Sequence, residues 1–229
     1  KLVLTDTLTY SKDSVALYDA AFRIQKKDGK VTKVVDYPLY FRNVAKDKLP
    51  KEDDKIFTWS ANLSQSINPG WVIILTPLVV AFFTFLRNRK KEPSTPTKIA
   101  FGLLISALSV LVMVAAVHIG NNGSEKVSVW WLVANYGVIT IGELFLSPMG
   151  LSVVSKLSPK NITALMMGGW FLSTSIGNKL SGVLASMWDT YDDKANFFWV
   201  NFSLLMFATL LMFVLVKELN KVMKEKGIN

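Results

Sequence analysis

Glu143 is the residue whose type and placement most demand chemistry. It is the one charge between Val129 and Val154, a run long enough to cross a bilayer as a helix. A carboxylate at mid-membrane depth costs about 3 kcal/mol on insertion scales unless it is paired or faces a hydrated cavity, so such residues mark substrate or proton sites by default. Tyr136, Thr140, Glu143, Ser147 and Gly150 follow at steps of four, three, four and three, which puts them on one stripe of a helix. Pro148 removes a backbone donor beside them and predicts a kink. A second stripe, Trp170, Thr174, Gly177 and Ser181 with Asn178 beside it, lies in the next run. Asn68 projects from the start of an earlier run that carries Pro69 and Pro77. Each residue also has a plainer use. Glu143 could pair with a structural cation, Ser147 could bond the preceding turn's carbonyl, Trp170 could be core or interface, and Asn68 could brace a helix start. Lys179 reads as a structural pair or a snorkelled anchor, and His118 as an interfacial residue without a relay role.

The elements that must hold these residues read as membrane helices. Of the 229 residues, 51% are apolar and mean hydropathy is +0.33, with the apolar residues gathered after Phe57 into runs of about 20. Five spans are expected, near 67–86, 99–119, 129–154, 163–187 and 197–216. The net charge of +9 sits mostly in the short links, which favours membrane topology over nucleic-acid binding. Arg87, Arg89, Lys90, Lys91 and Lys98 follow the first span, Lys156 and Lys160 the third, and Lys217, Lys221, Lys224 and Lys226 the fifth. The alternate links hold only Lys126 and Lys194, so the basic links and the C-terminus are expected in the cytoplasm.

Residues 1–56 are a different material. Twelve basic and nine acidic residues are interspersed with short alternating stretches. Asp28-Gly29 favours a two-residue hairpin turn, because glycine tolerates positive φ. A small β-hairpin or a few strands outside the membrane are expected there, with residues 57–229 as the transmembrane domain. An odd number of spans after an external segment predicts further helices before Lys1. Without cysteine, thiolate and disulfide chemistry are excluded. No Walker loop, HExxH or GxSxG string supports catalysis, a metal or a cofactor.

Four strings in order carry a family resemblance: SINPGWVIILTPLVVAFF, KKEPSTPTKIAFGLLI, IGELFLSPMGLSVVSKLSPK and MGGWFLSTSIGNKLSG. Over residues 60–216 the chain resembles the proton-dependent oligopeptide transporters of the major facilitator superfamily. The resemblance implies an all-α membrane protein whose five spans are helices eight to twelve of twelve, in the cell (inner) membrane, with residues 1–56 enlarging the external loop before helix eight. It also implies roles. Glu143 resembles a glutamate that meets the peptide amino terminus and can pair with a lysine of the other half. Ser147 resembles its companion one turn on. Asn68 resembles an asparagine that helps hold the amine, and Trp170 a tryptophan that walls the side-chain pocket. The family's ExxERFxYY string, helix-four lysine and helix-seven carboxylate are not in this sequence.

The function so implied is proton-coupled symport of di- and tripeptides by alternating access. This chain supplies one wall, completed by an N-terminal half. Its partners would be the peptide, protons and the bilayer. A related transporter of amino acids, nitrate or other small anions is the alternative within transport. A non-transporting peptide sensor or assembly subunit is the alternative outside it. A membrane hydrolase is more distant, since no nucleophile–base set accompanies the one intramembrane carboxylate.

Overall fold

The computed structural model describes residues 5–17, 24–27, 30–41, 44, 49–59 and 61–225. They fall into two compact units, one formed by Lys1–Ser66 with Ile119–Ser128, the other by Ile67–His118 with Val129–Asn229.

Among its described residues the first unit holds six short strands, β1 (Thr5–Thr9), β2 (Asp13–Ala16), β3 (Lys26–Lys27), β4 (Lys30–Val31), β5 (Lys33–Asp36) and β6 (Lys55–Trp59). Their pairing is nested and antiparallel: β1 with β6, β2 with β5, β3 with β4. The pair Lys27↔Lys30 flanks the expected hairpin turn, whose residues Asp28 and Gly29 lie outside those described. Because Thr5 pairs with Trp59, the two ends of this segment meet, as they must if it is inserted into a loop. An aromatic cluster supplies its core. Tyr10 stacks on Tyr37 at 4.4 Å, and buried Phe41 meets Tyr10 edge-on at 4.8 Å. Lys126, from the 119–128 link, lies 3.5 Å from the Tyr40 ring centroid and donates to the Tyr40 carbonyl. Burial pushes its ammonium below the usual lysine range.

The second unit is helical: α1 (Ala61–Asn88, which begins in the first unit), α2 (Thr95–Ile119), α3 (Trp130–Leu157), α4 (Thr163–Ser186) and α5 (Lys194–Glu225). Among the described residues, four stretches are long and apolar enough to cross a membrane: Ser66–Asn88, Thr95–Ile119, Trp130–Leu157 and Lys194–Glu225. The remaining helix, α4, has 24 residues but is diluted by Gly168, Gly169, Thr174, Gly177, Asn178 and Lys179. Its polar content keeps it below that hydropathy, although it has the length expected of a span. α5 runs on past the expected end at Val216, because Lys217 to Glu225 are mostly good helix formers. Both α1 and α3 stay helical through their prolines.

α3 is the helix on which α1, α2 and α4 meet. Lipid offers no hydrophobic drive between helices, so close packing of small residues has to hold them. Gly102 of α2 faces Gly142 of α3 so closely that a Cβ on either would lie 2.8 Å from the other's carbonyl oxygen. α1 docks one face over: Trp71 Nε1 donates to the Val133 carbonyl at 3.0 Å, with its ring against Gly137, and Phe83 packs on Phe145 at 4.8 Å. α4 meets α3 at Gly150, where a Cβ would come within 2.8 Å of Trp170 Cζ2. α5 touches α2 through the edge-on pair Phe101–Phe213 at 5.9 Å.

Candidate functional site

The docking of α1 on α3 delivers Asn68 to the polar stripe. Asn68 Nδ2 donates to Glu143 Oε2 at 3.2 Å, and the Thr140 hydroxyl reaches Asn68 Oδ1 at 3.0 Å. The same hydroxyl lies 2.6 Å from the Tyr136 carbonyl. Thr140 is fully buried, Asn68 is half-buried and Glu143 is exposed. These three side chains form one chain of hydrogen bonds from the helix core to its open face.

The chemistry of that chain follows from counting protons. Asn68 offers one donor end and one acceptor end, and Thr140 has one proton to give. With Glu143 ionised, Nδ2 serves the carboxylate and Oδ1 takes the Thr140 proton. With Glu143 protonated, a half-turn of the amide lets Oδ1 accept from Glu143. Nδ2 then serves Thr140, whose proton goes to the Tyr136 carbonyl. Both arrangements leave every member bonded, so the trio accommodates either protonation state without an orphaned buried group.

Two of the four residues expected in the site, Asn68 and Glu143, are therefore brought together. Trp170, on α4, lies at the far end of the α3 stripe. It sits against Gly150, seven residues along α3 from Glu143, or about 10 Å at the helical rise. An apolar cavity of about 760 Å³ opens beside it, lined by Val154, Leu165, Met166 and Leu172 among others. Ser147 occupies the stripe between the two, exposed and without a hydrogen bond among the described residues. The plainer use, back-bonding to its own helix, is seen instead at Thr76, Thr84 and Thr209. Lys179 is exposed and forms no ion pair among the described residues.

Two contributors escaped the sequence reading. Thr140 was visible only as a member of the stripe, while its partner Asn68 lies 72 residues away. Trp71 gave no signal of its own, although it fixes where α1 meets α3 and hence where Asn68 points. Among the described residues, no three of His, Asp or Glu gather as a metal ion would need.

The basic links end the helical unit in a second polar cluster. α1 stops in a Schellman turn: Lys90 takes φ +55°, Lys91 N–H bonds the Leu86 carbonyl and Lys90 N–H that of Arg87. The reversal returns Glu92 to Arg87, whose Nε and Nη2 donate to the two carboxylate oxygens at 2.7 and 3.2 Å. Lys98 pairs with the same carboxylate while its ammonium lies 4.4 Å from the Phe83 ring centroid. The bonds from Arg87, then Lys98, pull the Glu92 carboxyl down to about 2.

Comparison with known proteins places this geometry. The sequence model described as POT family matches residues 52–200, which include Asn68, Glu143, Ser147 and Trp170. A dipeptide and tripeptide permease A of Proteus mirabilis is 35% identical over 132 residues, covering 58% of this chain and 26% of the permease. Its namesake in Escherichia coli is 35% identical over 123 residues, covering 54% and 24%. A crystal structure of a POT family transporter with a thioalcohol-conjugated peptide superposes with TM-score 0.63 at 26% identity, covering 79% of this chain and 36% of that one. A crystallised peptide transporter POT superposes with TM-score 0.61 at 31% identity, covering 69% and 31%. The chain thus spans about a quarter of those permeases and about a third of those solved chains.

Proposed function

Because this chain belongs to the POT family, we infer that it forms the C-terminal wall of a proton-coupled di- and tripeptide symporter in the cell membrane. Glu143 and Asn68 receive the peptide amine, Ser147 lies beside them, and Trp170 walls the side-chain pocket. The observation that carries this reading is the 3.2 Å bond between Asn68 and Glu143, on an exposed carboxylate without an ion pair among the described residues. One amide N–H leaves most of a carboxylate's acceptor capacity unused. A peptide ammonium, or a lysine of the other six-helix half, would fill it with a stronger charge-assisted bond. Competition between the two cations couples occupancy to the approach of the halves, since a ligand shifts states only by its differential affinity.

The spacing supports a short peptide. About 10 Å separates Glu143 from the Trp170 contact along α3, and about three extended residues cover that distance. The two-state hydrogen-bond chain supports a proton as the coupled ion, because Asn68 can satisfy Glu143 with or without it. Residues 1–56 are proposed as an extracytoplasmic insertion. Their meeting ends support this, as does Lys126, from a link expected on the same side, which falls in their unit. α4 is proposed as the span expected near 163–187, its polar residues facing the passage.

The test is uptake of labelled dipeptide by the full-length protein in proteoliposomes, with and without an inward proton gradient. Accumulation should follow the gradient and be competed by unlabelled di- and tripeptides. One related transporter, 27% identical, was crystallised with 5-aminolevulinic acid. Competition by that compound or single amino acids, with peptides inert, would move the reading to a related secondary transporter. Peptide binding without flux would move it to a sensor.

A further inference from the structure

We propose that the cavity among the basic ends of α1, α2, α3 and α5 binds a phosphate group, from an anionic lipid headgroup or from free phosphate. The cavity measures about 710 Å³ and its charged lining is Arg87, Glu92, Lys98, Lys156 and Lys224. Four cations face one carboxylate. Arg87 and Lys98 are committed to Glu92. Lys156 and Lys224 form no ion pair and no hydrogen bond among the described residues, and both are exposed. They come from helices far apart in sequence, yet both line this space. The lining therefore carries a surplus of three positive charges, with Ser94 and Asn220 as neutral hydrogen-bonding groups.

Topology accounts for the sign of these residues but not for their convergence on one concavity. The volume lies within the range of small-molecule sites. The position, at the ends of apolar helices on the side rich in Lys and Arg, is where basic pockets between membrane helices take phosphorylated headgroups. Phosphate suits the donor set better than a carboxylate, because its oxygens can meet ammonium groups arriving from different helices at once. The proposal is independent of what crosses the membrane.

The experiment uses the full-length transporter and the double variant Lys156→Gln/Lys224→Gln, with Lys217→Gln/Lys221→Gln as control. The control lysines are exposed on α5 and do not line the cavity. Native mass spectrometry counts retained phosphatidylglycerol against phosphatidylcholine, and inorganic phosphate is titrated by thermal shift. Loss of two cations should weaken phosphatidylglycerol retention about 10- to 30-fold, with the control nearly unchanged. That pattern identifies a lipid headgroup. Phosphate stabilisation that disappears only in the cavity variant, without preference for phosphatidylglycerol, identifies the free anion. Equal losses in both variants, or no binding of either probe by the wild type, would overturn the proposal. Helical circular dichroism and elution volume establish that both variants fold.

Discussion

Two carboxylates in this chain sit at opposite extremes of partnership. Glu92, at the basic end of the helices, receives a bidentate Arg87 and Lys98. Glu143, on the open face of α3, receives one amide from Asn68. The same chemical group is thus closed in one place and open in the other. A carboxylate whose acceptors are filled by its own chain is structural. One held by a single orientable neighbour is equipped to receive a cation from outside. The largest expected effect tests that contrast directly. In the full-length transporter, Glu143→Gln should cut proton-driven dipeptide uptake about 10- to 100-fold at matched expression, since a charged hydrogen bond is worth roughly 1.5–3 kcal/mol. Glu92→Gln should leave uptake per folded molecule within about twofold and lower thermal stability instead. Comparable uptake losses in both would erase the distinction.

The next effect concerns the far end of the stripe. Gly150→Leu places a branched side chain where a Cβ alone would approach Trp170 Cζ2 to 2.8 Å, so the indole must move. Overpacking of this kind costs about 1–3 kcal/mol. Uptake of peptides with large apolar side chains should fall about tenfold, with dialanine much less affected. An equal fall for both peptides would mean that Trp170 holds the helices together rather than walling a pocket.

Much of this was legible because helices in lipid obey a strict period. The stripe through Glu143 follows from spacing alone, and two of its members, Thr140 and Glu143, both bond Asn68. Partnership was not legible. Nothing in the sequence joins Asn68 to Thr140, because the link is made by Trp71 bonding the Val133 carbonyl and setting the register of α1 on α3. Glu92, Arg87 and Lys98 read as topology charges, since a charge count carries no information about which carboxylate a turn brings back to which cation. The Schellman turn at Lys90 decides that, with a non-glycine residue at positive φ. The hydropathy of α4 had a different cause: the residues that dilute it include Thr174 and Gly177, members of the stripe that begins at Trp170.

Thr140 sharpens the comparison at smaller scale. Thr140→Val keeps the shape and removes the hydroxyl that anchors Asn68 Oδ1. With the amide no longer oriented, peptide KM should rise about threefold to tenfold, the equivalent of roughly 1 kcal/mol for one buried hydrogen bond. The pH dependence of uptake should change as well, because the Thr140 hydroxyl completes both states of the chain, as donor to Asn68 Oδ1 in one and as acceptor from Nδ2 in the other. Thr140→Ser should restore both. A Val variant with altered KM and an unaltered pH profile would confine Thr140 to packing.

The smallest effect belongs to the closed carboxylate and is read in stability rather than transport. Its folded-state value of about 2 lies below the ordinary 4.5, so folding favours the ionised form. The pair's contribution is therefore complete above about pH 4.5 and is lost as pH falls from there towards 2. Arg87 is largely exposed, and solvent screens much of the attraction. Melting curves of wild type and Glu92→Gln should differ at neutral pH by on the order of 2 °C and converge in acid. The Glu143→Gln protein should follow the wild type through that window, since its substitution leaves the Glu92 cluster intact. A wild-type curve that runs parallel to Glu92→Gln down to pH 2.5 would mean that the two cations stabilise the turn without needing the charge between them.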